Sequence, residues 1–325
     1  MLRPFVPLAL LAACQTDPPP PPQQATSEQR ARPGQPAPVI YRCFPRQDSW
    51  FRRTQRSDGA FADDDGEPRL RETCLAVLAE LGDGSTMRAG PDRDVLRRAV
   101  GWLRERQQDD GSVDVSADDP IRQQALAAYT LVEAFGVSEY RGPMRRIAGR
   151  ALDALLAQRN DDGGWPATAD APSDPLASCW AALACDSARH FGFDVEAPSA
   201  TDLLPWFGAH PATTAGERAA LLLVRQRLGD DAEAELQKLA MRLATEADPE
   251  RPEAAFWTSF ALFPFGGEAW QRWQRRLGET VVRTQDLAPD AADMWPPVPG
   301  FSSVETTALR TLTLEAYYRY SRLIR

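Results

Sequence analysis

The stretch WLRERQQDDGSV, from Trp102 to Val113, decides the fold of this chain because it does not stand alone. It reads as the end of a helix that runs into an Asp-Gly turn. The similar stretch WFRRTQRSDGAF begins 52 residues earlier, at Trp50, and ALLAQRNDDGGW begins 52 residues later, at Ala154. Self-similarity at a constant period is the signature of a repeat architecture. The sequence therefore predicts a fold built from repeated helical units.

Three Asp-Gly pairs mark the repeat junctions, at Asp58 and Gly59, Asp110 and Gly111, and Asp162 and Gly163. A Gly just past the last helical residue accepts the left-handed conformation that closes a helix, and the Asp before it bonds nearby backbone amides. Prolines suited to the first turn of a helix follow the junctions at Pro68, Pro120 and Pro175. Each unit is therefore expected to be a helix, a Gly-containing loop and a second helix.

Apolar residues recur with a period of 3.6 along most of the chain, which predicts about twelve helices and no convincing strand. The predicted helices cover residues 44–56, 68–81, 93–108, 120–136, 144–159, 174–191, 200–208, 213–228, 231–246, 251–264, 267–285 and 303–323. The last helix begins with a capping box, Ser302 and Glu305, and has small or apolar residues on most of its surface. Such a helix is typical of a buried inner layer. No Asp-Gly junction can be matched between residues 201 and 249, so the repeat boundaries there stay open.

The repeated W-x-x-x-x-Q-x-x-D-G pattern, with GGEAWQRWQ at 266–274 and TTALRTLTLEAYYRY at 306–320, resembles a known family. It is similar to the prenyltransferase and squalene-oxidase repeat proteins of the terpenoid cyclase and protein prenyltransferase superfamily. The resemblance covers most of residues 44–325. It implies an all-α fold, an α6/α6 toroid of two concentric helix rings around a central cavity.

The motifs that carry catalysis in that superfamily are missing from this chain. Class II cyclases use an Asp-x-Asp-Asp acid, and neither DDDG at 63–66 nor DDP at 118–120 has that spacing. Both stretches are expected to be solvated carboxylates that cap helices. Protein prenyltransferases hold zinc through an Asp-x-Cys motif and a His, whereas Asp174 and Cys179 lie five residues apart. The sequence therefore assigns no catalytic residue, no metal ligand and no cofactor.

Six residues near the starts of predicted inner helices are candidates for lining the cavity, because in the related folds the loops before inner helices face the active-site end. They are Gln124, Cys179, Trp180, Trp295, Glu305 and Thr306. Aromatic side chains with a few polar groups are typical of ligand pockets.

The N-terminal stretch MLRPFVPLALLAAC predicts an address in the bacterial cell envelope. One basic residue precedes an apolar run of about ten residues, which is the length of a signal peptide and too short to span a bilayer. The run ends in Leu-Ala-Ala-Cys, which resembles the bacterial lipobox and implies lipid modification of Cys14. We therefore expect a lipoprotein on the extracytoplasmic side, periplasmic or surface-exposed, with the membrane as partner through its anchor.

These features divide the chain into three parts. Residues 1–13 are the predicted lipoprotein signal peptide, and residues 14–42 are a Pro-rich tether with too few large apolar residues to fold. Residues 43–325 form the predicted toroid domain.

Charge and cysteine content exclude some functions and leave others open. The net charge is −9 and no basic stripe appears, which argues against nucleic acid as a partner. Apart from Cys14 there are four cysteines, an even number in an exported protein. The sequence allows one or two disulfides but does not decide which cysteines pair. Cys179 and Cys185 lie on different faces of one predicted helix and are not expected to pair with each other.

Two functions follow from these observations. The missing motifs favour a non-catalytic binding or scaffolding protein, whose partner is an unknown envelope protein or an apolar or glycan ligand. Acidic residues in its cavity should then have solvent or Arg partners and ordinary titration. The alternative is a hydrolase, lyase or cyclase that acts on a lipid, isoprenoid or polysaccharide through an unrecognised carboxylate pair. That alternative requires converging carboxyl groups, at least one of them desolvated.

Overall fold

The structure is a computed structural model that describes residues 49–113, 118–137, 141–194, 200–210, 212–285 and 294–323. Within these ranges the chain is helical, and its β-structure is limited to isolated bridges. The predicted signal peptide, Cys14, the tether and Cys43 lie outside the described residues. Among the helices described, none has both the length and the apolar character needed to cross a membrane.

The helices alternate along the chain between an outer and an inner ring. The outer helices are α1 (Trp50–Thr54), α3 (Arg93–Glu105), α5 (Arg141–Leu156), α7 (Ala200–Ala209), α9 (Glu233–Glu246) and α11 (Gly267–Leu277). The inner helices are α2 (Leu70–Gly82), α4 (Pro120–Val137), α6 (Pro175–His190), α8 (Ala215–Arg227), α10 (Pro252–Leu262) and α13 (Ser303–Leu323). The predicted helix 267–285 is divided, because a π-helical turn (Gly278–Val282) and the short α12 (Arg283–Gln285) follow α11.

The inner helices form a closed ring. Each packs against the next in chain order, from α2 through α4, α6, α8 and α10 to α13, and α13 packs against α2. Burial separates the two layers: every residue of α2 except Arg71 is buried, whereas α3 buries a single stripe that includes Leu96 and Trp102. The predicted all-α α6/α6 toroid is confirmed.

The repeated glutamine ties each repeat to the next one. In the first repeat, Gln55 Nε2 donates a hydrogen bond to the Gly59 carbonyl and another to the Val95 carbonyl of α3, both at 2.9 Å. Gln107 makes the equivalent two bonds in the second repeat. Because one side chain bridges its own loop and the following outer helix, it fixes the spacing of neighbouring units. In the third copy, which lacks the glutamine, Arg159 Nε donates to the glycine carbonyl instead.

The Asp-Gly pairs form turns beyond the helix ends, so the prediction that their glycines close the helices is wrong. The helices α1, α3 and α5 end at Thr54, Glu105 and Leu156. The N–H groups of the three glycines donate to the carbonyls three residues earlier, within the connecting loops. The carboxylates of Asp58, Asp110 and Asp162 each accept a hydrogen bond from the backbone N–H two residues later. The glycines that follow have φ between +91° and +95°. A Cβ atom at Gly111 would lie 2.1 Å from the carbonyl oxygen of Arg150, so glycine is required there by both conformation and space.

A Gly-Asp turn lies at the opposite end of the ring from the repeat junctions. Gly229 has φ +74°, and Asp230 accepts a hydrogen bond from the Ala232 N–H at 2.9 Å. This turn follows the inner helix α8, whereas the three repeat junctions follow outer helices. It is therefore not a further copy of the repeat junction.

Candidate functional site

The starts of all six inner helices carry charged side chains, many of them in contact with one another. We name this set of side chains the polar mouth. It consists of Arg71, Glu72, Asp119, Arg122, Asp174, Glu217, Glu253 and Glu305.

On one side of the polar mouth, Arg71 joins three inner helices. Its guanidinium, from α2, contacts the Glu305 carboxylate of α13, and its Nη2 lies 3.5 Å from Glu253 Oε1 of α10. Burial alone would lower the pKa of Arg71, but the charges of these two carboxylates raise it above its ordinary value. The cation therefore stays charged and holds the two acids in place.

On the other side, Arg122 of α4 bridges two aspartates. Its Nη1 lies 3.2 Å from Asp119 Oδ2, and its Nη2 lies 3.0 Å from Asp174 Oδ2. Asp174 also accepts a hydrogen bond from the Ala177 N–H at 2.7 Å and so caps the N-terminus of α6. Both arginines of the polar mouth are thus held between carboxylates of different elements.

Glu72 and Glu305 form a carboxyl pair joined by one serine. Ser302 Oγ donates to Glu72 Oε1 at 3.2 Å, and the Ser302 N–H donates to Glu305 Oε2 at 3.0 Å. The Glu305 N–H donates back to Ser302 Oγ at 3.1 Å, so the predicted capping box is confirmed. One residue therefore positions both acids.

Glu72 is the desolvated member of this pair. Its side chain is buried, with 6% of the residue exposed. Burial raises the pKa of Glu72 from 4.5 to about 7, and the neighbouring charge of Glu305 adds to the rise. A carboxyl group with such a pKa can give up and regain a proton near neutral pH. In the described part of the chain, no three His, Cys, Asp or Glu side chains are placed to hold a metal ion.

Aromatic side chains pack across the ring below the polar mouth. Trp180 of α6 contacts Tyr129 of α4, with ring centroids 5.7 Å apart, and Phe256 and Trp257 of α10, at 5.7 and 4.6 Å. The two α10 residues lie one helical turn beyond Glu253. We name these four side chains the aromatic plug. Each is at most 5% exposed, so they fill the axis of the ring at this depth.

Gln124 has a bracing role and does not line an open cavity as predicted. It is fully buried, its Oε1 accepts the Val113 N–H at 2.7 Å, and its Nε2 donates to the Ala151 carbonyl at 2.9 Å. The same loop position is held in the third repeat by Ser178, whose Oγ accepts the Trp165 N–H at 2.9 Å. The side chain therefore belongs to the repeat framework.

Trp295 and Thr306 also brace loops. The Trp295 N–H donates to Thr307 Oγ1 at 3.2 Å and its indole N–H donates to the Val281 carbonyl at 2.7 Å. Thr306 Oγ1 accepts the Val298 N–H at 3.4 Å. Both residues are buried. Their hydrogen bonds involve backbone groups of the neighbouring loops, which need partners because they are buried too.

Cys179 is enclosed as well, and Trp180 belongs to the aromatic plug. Burial raises the pKa of the Cys179 thiol well above its ordinary value, and the thiol is free. Cys185 is also free, as expected for two cysteines on different faces of α6, and so is Cys74. Of the six predicted cavity residues, Glu305 is the one that the structure places in the polar mouth.

Of the acidic loop stretches, Asp64 caps a helix as expected, whereas Asp63 bonds within its own loop and Asp119 contacts side chains of α4. Asp63 accepts the N–H groups of Asp65 and Glu67, and Asp64 accepts the Ser303 N–H at the start of α13. Arg71 and Glu72 are not among the residues predicted from the sequence. A signal was available, since Glu72 and Glu305 each occupy the third position of an inner helix.

Comparison with known proteins gives a partial sequence relative and a structural neighbour. No family model matches the chain. The drimenyl diphosphate synthase of Streptomyces showdoensis is 33% identical over 127 residues, which cover 37% of this chain. The match spans 23% of that enzyme's length. The structure of the GH76A α-1,6-mannanase from Salegentibacter sp. HEL1_6 superposes with a TM-score of 0.59 at 10% identity, covering 84% of this chain and 96% of the mannanase. The chain thus shares weak homology with a terpene cyclase and its α/α toroid fold with a mannanase.

Proposed function

We propose that this protein is a hydrolase that works by general acid–base catalysis at the polar mouth. Glu72 is the acid and Glu305 the base. The observation that carries the proposal is the pair itself: a desolvated carboxyl with a pKa of about 7 and an Arg-paired carboxylate share Ser302. Pairs of titratable groups whose surroundings differ in this way are typical of acid–base sites.

The pair provides both proton transfers that hydrolysis of a C–O bond needs. Glu72 gives its proton to the leaving oxygen as the C–O bond breaks. A water molecule adds to the carbon and passes one proton to Glu305. Proton exchange with solvent then returns Glu72 to its acid form and Glu305 to its carboxylate form. Arg71 keeps Glu305 in place during this cycle through its ion pair.

A binding-only protein is less well supported by the same site. For that function we expect acidic side chains in the cavity to contact solvent or arginine and to have ordinary pKa values. Glu305 and Glu253 do have Arg71 as partner, but burial raises the pKa of Glu72. Strongly perturbed carboxyl groups cluster at functional sites. The two similar proteins are both named as enzymes, a synthase and a mannanase, which agrees with the proposal.

Glutamine variants of the pair test the proposal. The full chain is screened for hydrolysis of polysaccharides and of lipid and prenyl esters, with products identified by mass spectrometry. Glu72→Gln and Glu305→Gln should each reduce turnover by about 100-fold or more, because general acid–base groups contribute this much. Glu268→Gln, on the exposed face of α11, is the matched control and should retain full activity. Wild-type turnover in Glu72→Gln, or no turnover of any substrate by the wild type, would refute the proposal.

We also propose that the protein is a lipid-anchored lipoprotein on the extracytoplasmic side of a bacterial membrane. The support is the lipobox-like sequence that ends in Cys14 and the Pro-rich tether after it. Full-length protein expressed in bacteria should sediment with membranes, and Cys14→Ser should move it to the soluble fraction. An unchanged distribution would contradict the anchor.

A further inference from the structure

We infer that the polar mouth binds an uncharged, polyhydroxylated chain, an oligosaccharide, and rejects isoprenoid diphosphates. This inference deepens the proposed function and rests on it for the location of the site. It departs from the substrate type suggested by the name of the sequence relative. Three observations carry it: the charge of the polar mouth, the capping of its helices and the depth of the aromatic plug.

The charge of the polar mouth opposes an anionic ligand. Six acidic side chains accompany two arginines, and each arginine is already shared between two carboxylates. Two further arginines stand at the N-cap positions of α2 and α10, where Arg69 pairs with Asp63 and Arg251 donates to the Pro299 carbonyl. A diphosphate needs cationic donors that are available to it, since Arg and Lys are the usual partners of phosphate oxygens. Excess negative charge in a cleft instead lowers the local concentration of anions.

Three of the inner-helix N-termini at the polar mouth are occupied by this chain's own acids. Free N-terminal N–H groups attract anions such as phosphate. Here Asp174 caps α6, Glu217 completes a capping box on α8, and Glu305 does the same on α13. The N-termini of α2 and α10 have no side-chain cap, but each carries a glutamate in its first turn.

Hydroxyl groups suit the same side chains well. Ionised carboxylates are acceptors only, and a sugar hydroxyl is a donor that can also accept a hydrogen bond from a guanidinium. Asp119, Asp174 and Glu253 keep more than a fifth of their side-chain surface exposed, so their oxygens can be reached from solvent. A polyhydroxylated ligand can satisfy several of these acceptors at once without bringing charge.

The aromatic plug limits the depth of the site. Trp180 meets side chains of α4 and α10 across the ring, one turn below Glu253. Side chains that are at most 5% exposed do not line a cavity wide enough for a prenyl chain. A ligand therefore lies across the polar mouth, as an extended polymer can, and does not enter the axis of the ring.

Binding measurements on an inactive variant test this inference. Full-length Glu72→Gln protein is titrated by calorimetry with neutral mannan and glucan fragments. Pyrophosphate and farnesyl diphosphate serve as anionic probes, each with and without Mg²⁺. At least one neutral fragment should bind, and Glu253→Gln added to this variant should weaken that binding about tenfold, because a charged acceptor is lost. Glu246→Gln, on the outer helix α9, is the matched control and should leave the affinity unchanged. The anionic probes should not bind under either condition.

The outcomes separate this inference from the proposed function. Binding of farnesyl diphosphate or pyrophosphate, or of no neutral fragment, overturns the inference. If a neutral fragment binds but the wild type never cleaves it, the inference stands and the proposed hydrolase fails. If the wild type converts a prenyl diphosphate in a reaction that depends on Glu72, acid catalysis at the polar mouth stands and the inference falls.

Discussion

Helix α2 carries two buried glutamates with different surroundings, Glu72 in its first turn and Glu80 in its last. Both are at most 6% exposed, and burial raises both pKa values. Glu80 interacts with Asp92, which is completely buried and accepts hydrogen bonds from Ser49 Oγ at 2.9 Å and Arg52 Nη2 at 2.8 Å. We name these four residues, Ser49, Arg52, Glu80 and Asp92, the base clamp.

The two ends of α2 show that a raised pKa alone does not identify a functional site. In the base clamp the partners of Glu80 hold α1 and α3 together, since Ser49 caps α1 and Asp92 precedes α3. In the polar mouth Glu72 and its partner Glu305 are themselves buried, but the surrounding side chains of Glu253 and Asp119 are 21% and 23% exposed. The base clamp therefore stabilises the fold, while the polar mouth keeps groups that a ligand can reach.

Removing one acidic side chain from the base clamp and one from the polar mouth should give the largest difference in the free energy of unfolding. Asp92→Ala leaves the Ser49 hydroxyl and the Glu80 carboxyl without a buried acceptor, so the free energy of unfolding should fall by about 4 kcal/mol. Glu253→Ala removes one partly exposed ion pair and should cost about 1 kcal/mol or less. Urea denaturation followed by circular dichroism measures both. Equal losses would show that the polar mouth is as structural as the base clamp.

The pH dependence of stability should show the raised pKa of both glutamates. In the unfolded chain a glutamate ionises near 4.5, whereas folded Glu72 stays protonated up to about pH 7. The free energy of unfolding therefore falls as pH rises from 4.5, and this fall ends once pH exceeds about 7. Glu72→Gln cannot titrate, so its stability relative to wild type should increase by about 3 kcal/mol across that window and then level off.

Glu80→Gln is the comparison for this measurement. Burial and Asp92 raise the pKa of Glu80 well above its ordinary value, so the gain of Glu80→Gln over wild type should begin near the same pH and grow as pH rises. Urea denaturation at pH 5, 7 and 9 would measure both curves. A Glu72→Gln curve that does not rise between pH 5 and 7 would contradict the raised pKa of Glu72.

The next smaller effect on stability concerns two loop glycines, one with no room for a side chain and one with open space around it. Gly111→Ala and Gly66→Ala both place a side chain at positive φ, which costs about 1 kcal/mol. At Gly111 the new Cβ also meets the Arg150 carbonyl, whereas at Gly66 there is no atom within 4 Å. We expect Gly111→Ala to be about 2 kcal/mol less stable than Gly66→Ala by thermal denaturation. Similar melting temperatures would show that the loop relaxes without cost.

The smallest expected effect compares the two serines. Ser302→Ala and Ser49→Ala each remove a hydrogen bond to a buried carboxyl and should cost about 1 kcal/mol. The Ser302 hydrogen bond lowers the pKa of Glu72, so its removal should move the alkaline limb of the pH–rate profile to higher pH. Ser49→Ala should leave that profile in place. An unshifted profile in Ser302→Ala would remove Glu72 from the rate-controlling step.

The fold could be predicted from the sequence because its signal is local. The Gln107 to Gly111 stretch, directly after α3, encodes a bridging side chain and a left-handed glycine within five residues. The site could not be predicted in the same way. Glu72 and Ser302 are 230 residues apart and meet where α13 closes against α2, so no motif contains them both. The prediction for Gln124 was wrong because a polar residue near a helix start can either line a cavity or bond the backbone of a neighbouring loop. The sequence does not distinguish these two roles, which depend on how the helices pack.

The contact of α13 with α2 has a consequence for how the chain folds. Open repeat proteins can add units one after another and can fray from either end. A ring has no end unit, and its last interface forms only when helices from opposite ends of the domain meet. Closing so long a loop has an entropic cost that comes before the contacts of that interface can offset it. We therefore expect the ring to close slowly and late in folding. Ring closure and assembly of the Glu72–Ser302 contact are therefore the same event, so the carboxyl pair should form only in the final folding phase.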